Sequence, residues 1–171
     1  MVTKLDKTAE NVVQLLKAHG FTAATAESCT GGLISAEITS VSGSSEVFGF
    51  GVCTYANEAK MKLLGVKAQT LETLGAVSDE TAVQMANGVR ELSGADIAVS
   101  VTGIAGPTGG TPDKPVGTVY IGCSTAQRTY ATRYLFTGES FPDADNVREA
   151  IRYETAQTAL ETIIKEIQNR N

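Results

Sequence analysis

The chain has 171 residues, 42 % of them hydrophobic and 19 % charged, with a formal net charge of −5. That length and balance suit a single domain over residues 1–171 with a real core, since no linker or like-charge block divides it. The acidic balance argues against broad nucleic-acid or anionic-membrane binding, and no apolar run reaches the ~18 residues of a membrane span.

The first predicted element is a helix in which Leu5, Ala9, Val12, Val13 and Leu16 recur at helical spacing, closed by His19 and Gly20. Phe21 to Ala26 reads as a short buried strand, and from Gly31 onward Leu33, Ile34, Ala36 and Ile38 resume a helical pattern. Val47 to Tyr55 is rich in β-branched and aromatic residues with glycines between them, which predicts a strand with a bulge or close backbone neighbours. Asn57 reads as the N-cap of a helix over Glu58 to Leu64. Gln69 to Leu74 predicts another short helix, and Ser78-Asp79-Glu80 caps a longer one running to about Leu92. Ile97 to Thr102 is the next buried strand. Val116 to Cys123 and Thr129 to Phe136 are two more, joined by a short polar turn, and Asp143 to about Ile167 is a long amphipathic helix. Early strands that need crossover helices and a late hairpin that must be antiparallel imply a three-layer α/β/α domain with a mixed sheet.

Chemistry concentrates first in Glu27-Ser28-Cys29-Thr30-Gly31-Gly32, which places a hydroxyl where a strand turns into a helix. The N–H groups of a helix start favour negative charge, so Ser28 could work beside a site for an oxyanion or a phosphate. Ser28 or Thr30 as a plain N-cap is the alternative. His19 is the sole histidine and has a structural explanation at a helix C-terminus, so a base for Ser28 is sought elsewhere. Lys60 falls in the first turn of a helix, an unfavourable place for a cation. Moving a lysine from about 10.4 to about 7.5 takes roughly 4 kcal/mol in favour of the neutral form, which burial would have to supply. A neutral Lys60 could take the Ser28 proton directly, or Tyr55 could relay it; a solvated Lys60 and a core Tyr55 are the alternative.

The loop from Thr102 and Gly103 to Pro112 can bring backbone N–H groups close to a ligand, yet it lacks both P-loop and dinucleotide-fingerprint spacing. Arg148 and Arg152 lie one helical turn apart and either could clamp an anion, unless they pair with Glu149 or Glu154. Cys29, Cys53 and Cys123 show no Cys-x-x-Cys spacing and follow no secretory signal, so they read as reduced thiols in a cytoplasmic protein. No zinc-ligand spacing is present, and no metal or cofactor is expected.

Taken together, Ala26 to Gly32, Val41 to Ser45, Thr54 to Lys60, Gly75 to Ser78, and Val101 to Pro107 through Lys114 to Gly117 resemble the C-terminal domain of the CinA family, the competence-damage-inducible proteins. The resemblance implies hydrolysis of the carboxamide of nicotinamide mononucleotide to nicotinate mononucleotide and ammonia, without a metal. It implies Ser28 as nucleophile with Lys60 and Tyr55 as activating partners. Thr102 and Gly103 match the family's ligand-facing loop, Thr30 and Gly31 are candidates to hold the oxyanion, and Arg148 is a candidate for the substrate phosphate. Larger family members carry an additional N-terminal domain associated with pyrophosphatase chemistry, so no pyrophosphatase activity is expected of a chain that starts at helix one. Ala56 stands where similar sequences often have serine. A homo-oligomer is compatible with the sequence. The competing readings are a nucleotide sensor without turnover, cysteine chemistry at Cys29, and a structural role in competence or repair complexes.

Overall fold

The computed structural model describes residues 4–169. Helix α1 spans Lys4–His19 and ends as its sequence predicts: Gly20 adopts φ 66°, its N–H bonds the Lys17 carbonyl, and that of Phe21 bonds Leu16. Strand β1 (Ala23–Glu27) leads through the turn carrying Ser28 to α2 (Leu33–Ser40), followed by a 3-10 turn at Ser44–Glu46 and β2 (Phe48–Cys53). Next come α3 (Asn57–Leu64), α4 (Ala68–Thr73), α5 (Asp79–Ser93) and β3 (Ile97–Gly103). The hairpin β4 (Thr118–Thr125) and β5 (Thr129–Leu135) precedes α6 (Val147–Gln168).

The five strands form one sheet in the order β2-β1-β3-β4-β5. The β1 pairings with β2 and β3 are parallel, while β3–β4 and β4–β5 are antiparallel, which is the mixed sheet expected. A register break between Ala23 and Ala24 skips Gly49 on β2, the bulge that its glycines predict.

One face of the sheet packs on α1, α2 and α6 through Ile97, Val99, Val101, Val119 and Ile121. The opposite face receives α3 and α5 and carries small residues, Ala24, Ala26 and Ala98. These small side chains let α5 approach until Ser100 Oγ donates to the Ala82 carbonyl at 2.6 Å. A Cβ on Gly122 would lie 2.4 Å from that same carbonyl oxygen, so only glycine fits there. Helices on both faces of the sheet make the three layers.

Three expectations shift. Asn57 is the first helical residue of α3 rather than its cap; Ala56 takes the extended cap conformation with no side-chain bond. Neither Ser28 nor Thr30 caps α2, whose cap position is Gly32 at φ 98°. Helix α6 starts at Val147, four residues later than Asp143, because Asn146 accepts the Glu149 N–H and fixes the start.

Candidate active site

Glu27 pairs with Cys53 on one side and Val101 on the other, so β2, β1 and β3 end together, and their C-terminal edge is where α/β sheets place ligands. Ser28 follows β1, Tyr55 follows β2, and Thr102 and Gly103 finish β3. These residues, with Cys29, Lys60, Ala76, Val77, Ala105 and Arg148, line one cavity of about 190 Å³.

Lys60 is brought there by packing. It and Leu64 are the buried positions of α3, one turn apart, and Leu64 joins Met85 and Val89 of α5 in the core. The side chain is 0 % exposed. Its Nζ lies 3.0 Å from Ser28 Oγ and donates to the carbonyls of Thr54 at 2.7 Å and Tyr55 at 3.2 Å. No carboxylate forms an ion pair with it among the described residues, and burial lowers its pKa below the ordinary lysine value. A neutral amine has two N–H donors and one lone pair. In the structure Nζ is the donor to all three oxygens; once neutral, it would keep its two N–H groups on the carbonyls and turn its lone pair to the Ser28 hydroxyl.

The turn that carries Ser28 is held by a residue that the sequence motifs leave without a role. Glu27 is fully buried, and its carboxylate accepts from Thr30 Oγ1 at 2.6 Å, the Gly32, Ile34 and Ser35 amides, and Ser35 Oγ at 2.7 Å. The charge at the start of α2 is therefore the protein's own, supplied by the last residue of β1. The strand residue preceding an uncapped Gly-Gly helix start is the signal that could have revealed it.

This changes several expected roles. The Thr30 side chain is 0 % exposed and committed to Glu27, and the Gly31 N–H is given to the Ser28 carbonyl at 3.1 Å. Neither residue lines the cavity. The Tyr55 side chain is 66 % exposed and its hydroxyl meets Arg148 at 3.2 Å, so it stands at the cavity wall and not between Ser28 and Lys60. Thr102 Oγ1 donates to the Ala76 carbonyl at 2.7 Å and fixes the opposite wall. Arg148 donates to the Gly106 carbonyl at 2.7 Å and Arg152 to the Thr30 carbonyl at 2.7 Å; neither pairs with Glu149 or Glu154.

Cys29 lies beside the serine but is buried, and burial pushes its thiol up to about 12, the wrong direction for a nucleophile. His19 Nδ1 lies 2.8 Å from the Leu15 carbonyl within α1, and the ring stacks with Phe21, away from the cavity-lining residues. Among the described residues no three His, Cys, Asp or Glu side chains converge as metal ligands, and no helix is long and apolar enough to cross a membrane.

The family model of the CinA C-terminal domain matches residues 5–167. The chain belongs to the CinA C-terminal domain family. A putative competence-damage inducible protein of Caldanaerobacter subterraneus subsp. tengcongensis is 57 % identical over 129 residues, covering 75 % of this chain and 31 % of that protein. A CinA-like protein of Thermotoga maritima is 47 % identical over 165 residues, covering 96 % of this chain and 38 % of its own length. The chain thus spans about a third of the length of these curated relatives. Among solved structures, a competence/damage inducible protein of Agrobacterium tumefaciens superposes with a TM-score of 0.87 at 41 % identity, covering 95 % of both chains. A CinA superfamily protein of Klebsiella pneumoniae gives 0.89 at 30 % identity, covering 98 % of this chain and 99 % of that one. The chain thus shares the fold of these CinA structures.

Proposed function

We propose that this CinA domain hydrolyses the carboxamide of nicotinamide mononucleotide, with Ser28 as nucleophile and Lys60 as its direct base. The observation that carries the reading is the 3.0 Å contact between Ser28 Oγ and a buried lysine whose other two acceptors are backbone carbonyls. The substrate comes from the family resemblance, and the names of the relatives state no activity.

In this mechanism Ser28 Oγ attacks the carboxamide carbon as its proton passes to Lys60 Nζ. The Ser28 amide is given to the Val101 carbonyl and that of Gly31 to Ser28; of the two remaining amides of the turn, that of Cys29 belongs to a residue that lines the cavity and would meet the oxyanion. Lys60 then returns the proton to the departing nitrogen, ammonia leaves, and an ester on Ser28 remains. Water attacks that ester, Lys60 takes its proton, and nicotinate mononucleotide is released with Ser28 restored. Arg148, exposed at the cavity mouth and without a carboxylate partner among the described residues, meets the phosphate.

Rapid acid quench of the protein with substrate, followed by intact-mass and peptide analysis, tests the covalent step. The expected result is a nicotinate-mononucleotide ester on the peptide containing Ser28. Ammonia release without any adduct, and undiminished in Ser28→Ala, would remove serine from the chemistry. Nucleotide binding without release would favour a sensor.

A further inference from the structure

The geometry points to Arg152 as a positioning residue that holds the nucleophile turn from outside the cavity, an inference that rests on the amidase reading above. Residues Ser28 to Gly31 form a turn closed by the Gly31 N–H on the Ser28 carbonyl at 3.1 Å. The Thr30 carbonyl and the Gly31 N–H belong to one rigid peptide plane, so fixing both ends fixes that plane. The second end is fixed by Arg152, whose Nη2 reaches across from α6 to the Thr30 carbonyl at 2.7 Å. From the sheet side, Glu27 takes the Thr30 hydroxyl. Thr30 is therefore held between an anion of β1 and a cation of α6, and the turn that it anchors carries Ser28 and Cys29 to the cavity.

Two further observations separate Arg152 from a substrate ligand. It does not line the cavity, whereas Arg148 one turn earlier does. Its charge has no carboxylate ion pair among the described residues, and it acts on the turn itself, opposing the rise that burial imposes on the Cys29 thiol. The guanidinium also lies beside Gly31, where an added Cβ would come 3.9 Å from Arg152 Nη2. The same helix face thus carries two arginines with different tasks. Arg148 faces the ligand, while Arg152 sets where Ser28 Oγ and the Cys29 amide stand and places a positive charge behind them.

The test compares wild type with Arg152→Ala and Arg152→Lys, each checked for folding by circular dichroism. One readout is the rate at which a fluorophosphonate probe phosphonylates Ser28, with fluoride leaving; this needs the nucleophile and its oxyanion site but no nucleotide. The other is kcat and KM for ammonia release from nicotinamide mononucleotide. Arg152→Ala is expected to lower both the labelling rate and kcat about 100-fold, the scale of a misplaced reacting group, with KM within about twofold. Guanidinium added to the buffer should restore part of the labelling, and Arg152→Lys should fall in between. A raised KM with labelling and kcat unchanged would overturn the proposal and make Arg152 a ligand contact. A wild type that labels at Ser28 yet releases no ammonia ends the amidase reading, and the labelling rates alone then decide for or against Arg152. A wild type that is not labelled at Ser28 overturns both.

Discussion

Lys60 Nζ sits 3.0 Å from Ser28 Oγ with no carboxylate ion pair among the described residues. A charged lysine in such a place is costly, so in the proposed mechanism burial prepares a base. Lys60→Arg places a permanent cation there that cannot give up its proton, and Lys60→Ala removes the base. Both are expected to lower kcat by about 10² to 10⁴, the usual worth of a general base. Ammonia release under saturating substrate checks this; retained activity in the Lys60→Arg variant would mean that the lysine works as a charge.

The same burial sets a pH dependence. The folded protein holds Lys60 below the ordinary lysine value because of burial, and Cys29 could oppose this only as a thiolate, which burial disfavours. Activity by the neutral amine is absent at low pH and rises as pH passes the lowered folded value, so the acid limb of kcat/KM should lie below the ordinary lysine value of about 10.4. Between the folded and unfolded values the unfolded chain binds more protons, so this group makes stability rise with pH over that window. Titration of kcat/KM, alongside denaturant unfolding at matched pH, reads both; a limb at or above about 10.4 would contradict it.

Arg148 and Tyr55 meet at the cavity mouth, their side chains 3.2 Å apart. Arg148→Ala is expected to raise KM about 10- to 100-fold, the loss of a charge-assisted bond, with a smaller change in kcat. Tyr55→Phe should also act mainly on KM, since the hydroxyl contacts Arg148 and not Ser28. Steady-state kinetics distinguish the cases: a kcat loss in Tyr55→Phe as large as that of Lys60→Ala would restore Tyr55 as a relay.

Gly88 lies inside α5, where alanine would ordinarily be the better helix former by about 1 kcal/mol. Here a Cβ would stand 2.0 Å from the Leu64 carbonyl oxygen at the end of α3. Gly88→Ala is expected to destabilise by about 1 to 3 kcal/mol, as overpacking does, and to lower activity by shifting the helix that carries Lys60. Chemical denaturation measures the first effect; a stabilised variant would show that α3 moves without cost.

The sequence made most of the frame legible because its signals are local. Val47 to Tyr55 is rich in β-branched and aromatic residues and Ile97 to Thr102 in β-branched ones, Ser78 is a cap that behaves as one, and Gly20 ends α1 where expected. The Ser28–Lys60 pair was readable as residue types in suggestive places, and the resemblance joined them. What stayed hidden depends on partners distant in the chain. The burial of Lys60 follows from α3 lying on α5, and Arg152 reaches Thr30 across 122 positions. Glu27 was hidden for another reason: it caps a helix from the preceding strand, not from the usual cap position. Asn57 misled because a favoured cap type stands one residue inside the helix it was expected to start.

The proposed chemistry is that of a serine amidase of a nucleotide carboxamide with a lysine base. Its most direct test is ammonia release from nicotinamide mononucleotide by the purified protein in excess chelator, beside Ser28→Ala, Lys60→Ala and free nicotinamide as a control substrate. The expected result is chelator-resistant release that vanishes without Ser28, is strongly slowed without Lys60 and is absent with nicotinamide. No release from a folded protein that binds the nucleotide, or release that survives loss of Ser28, would contradict it.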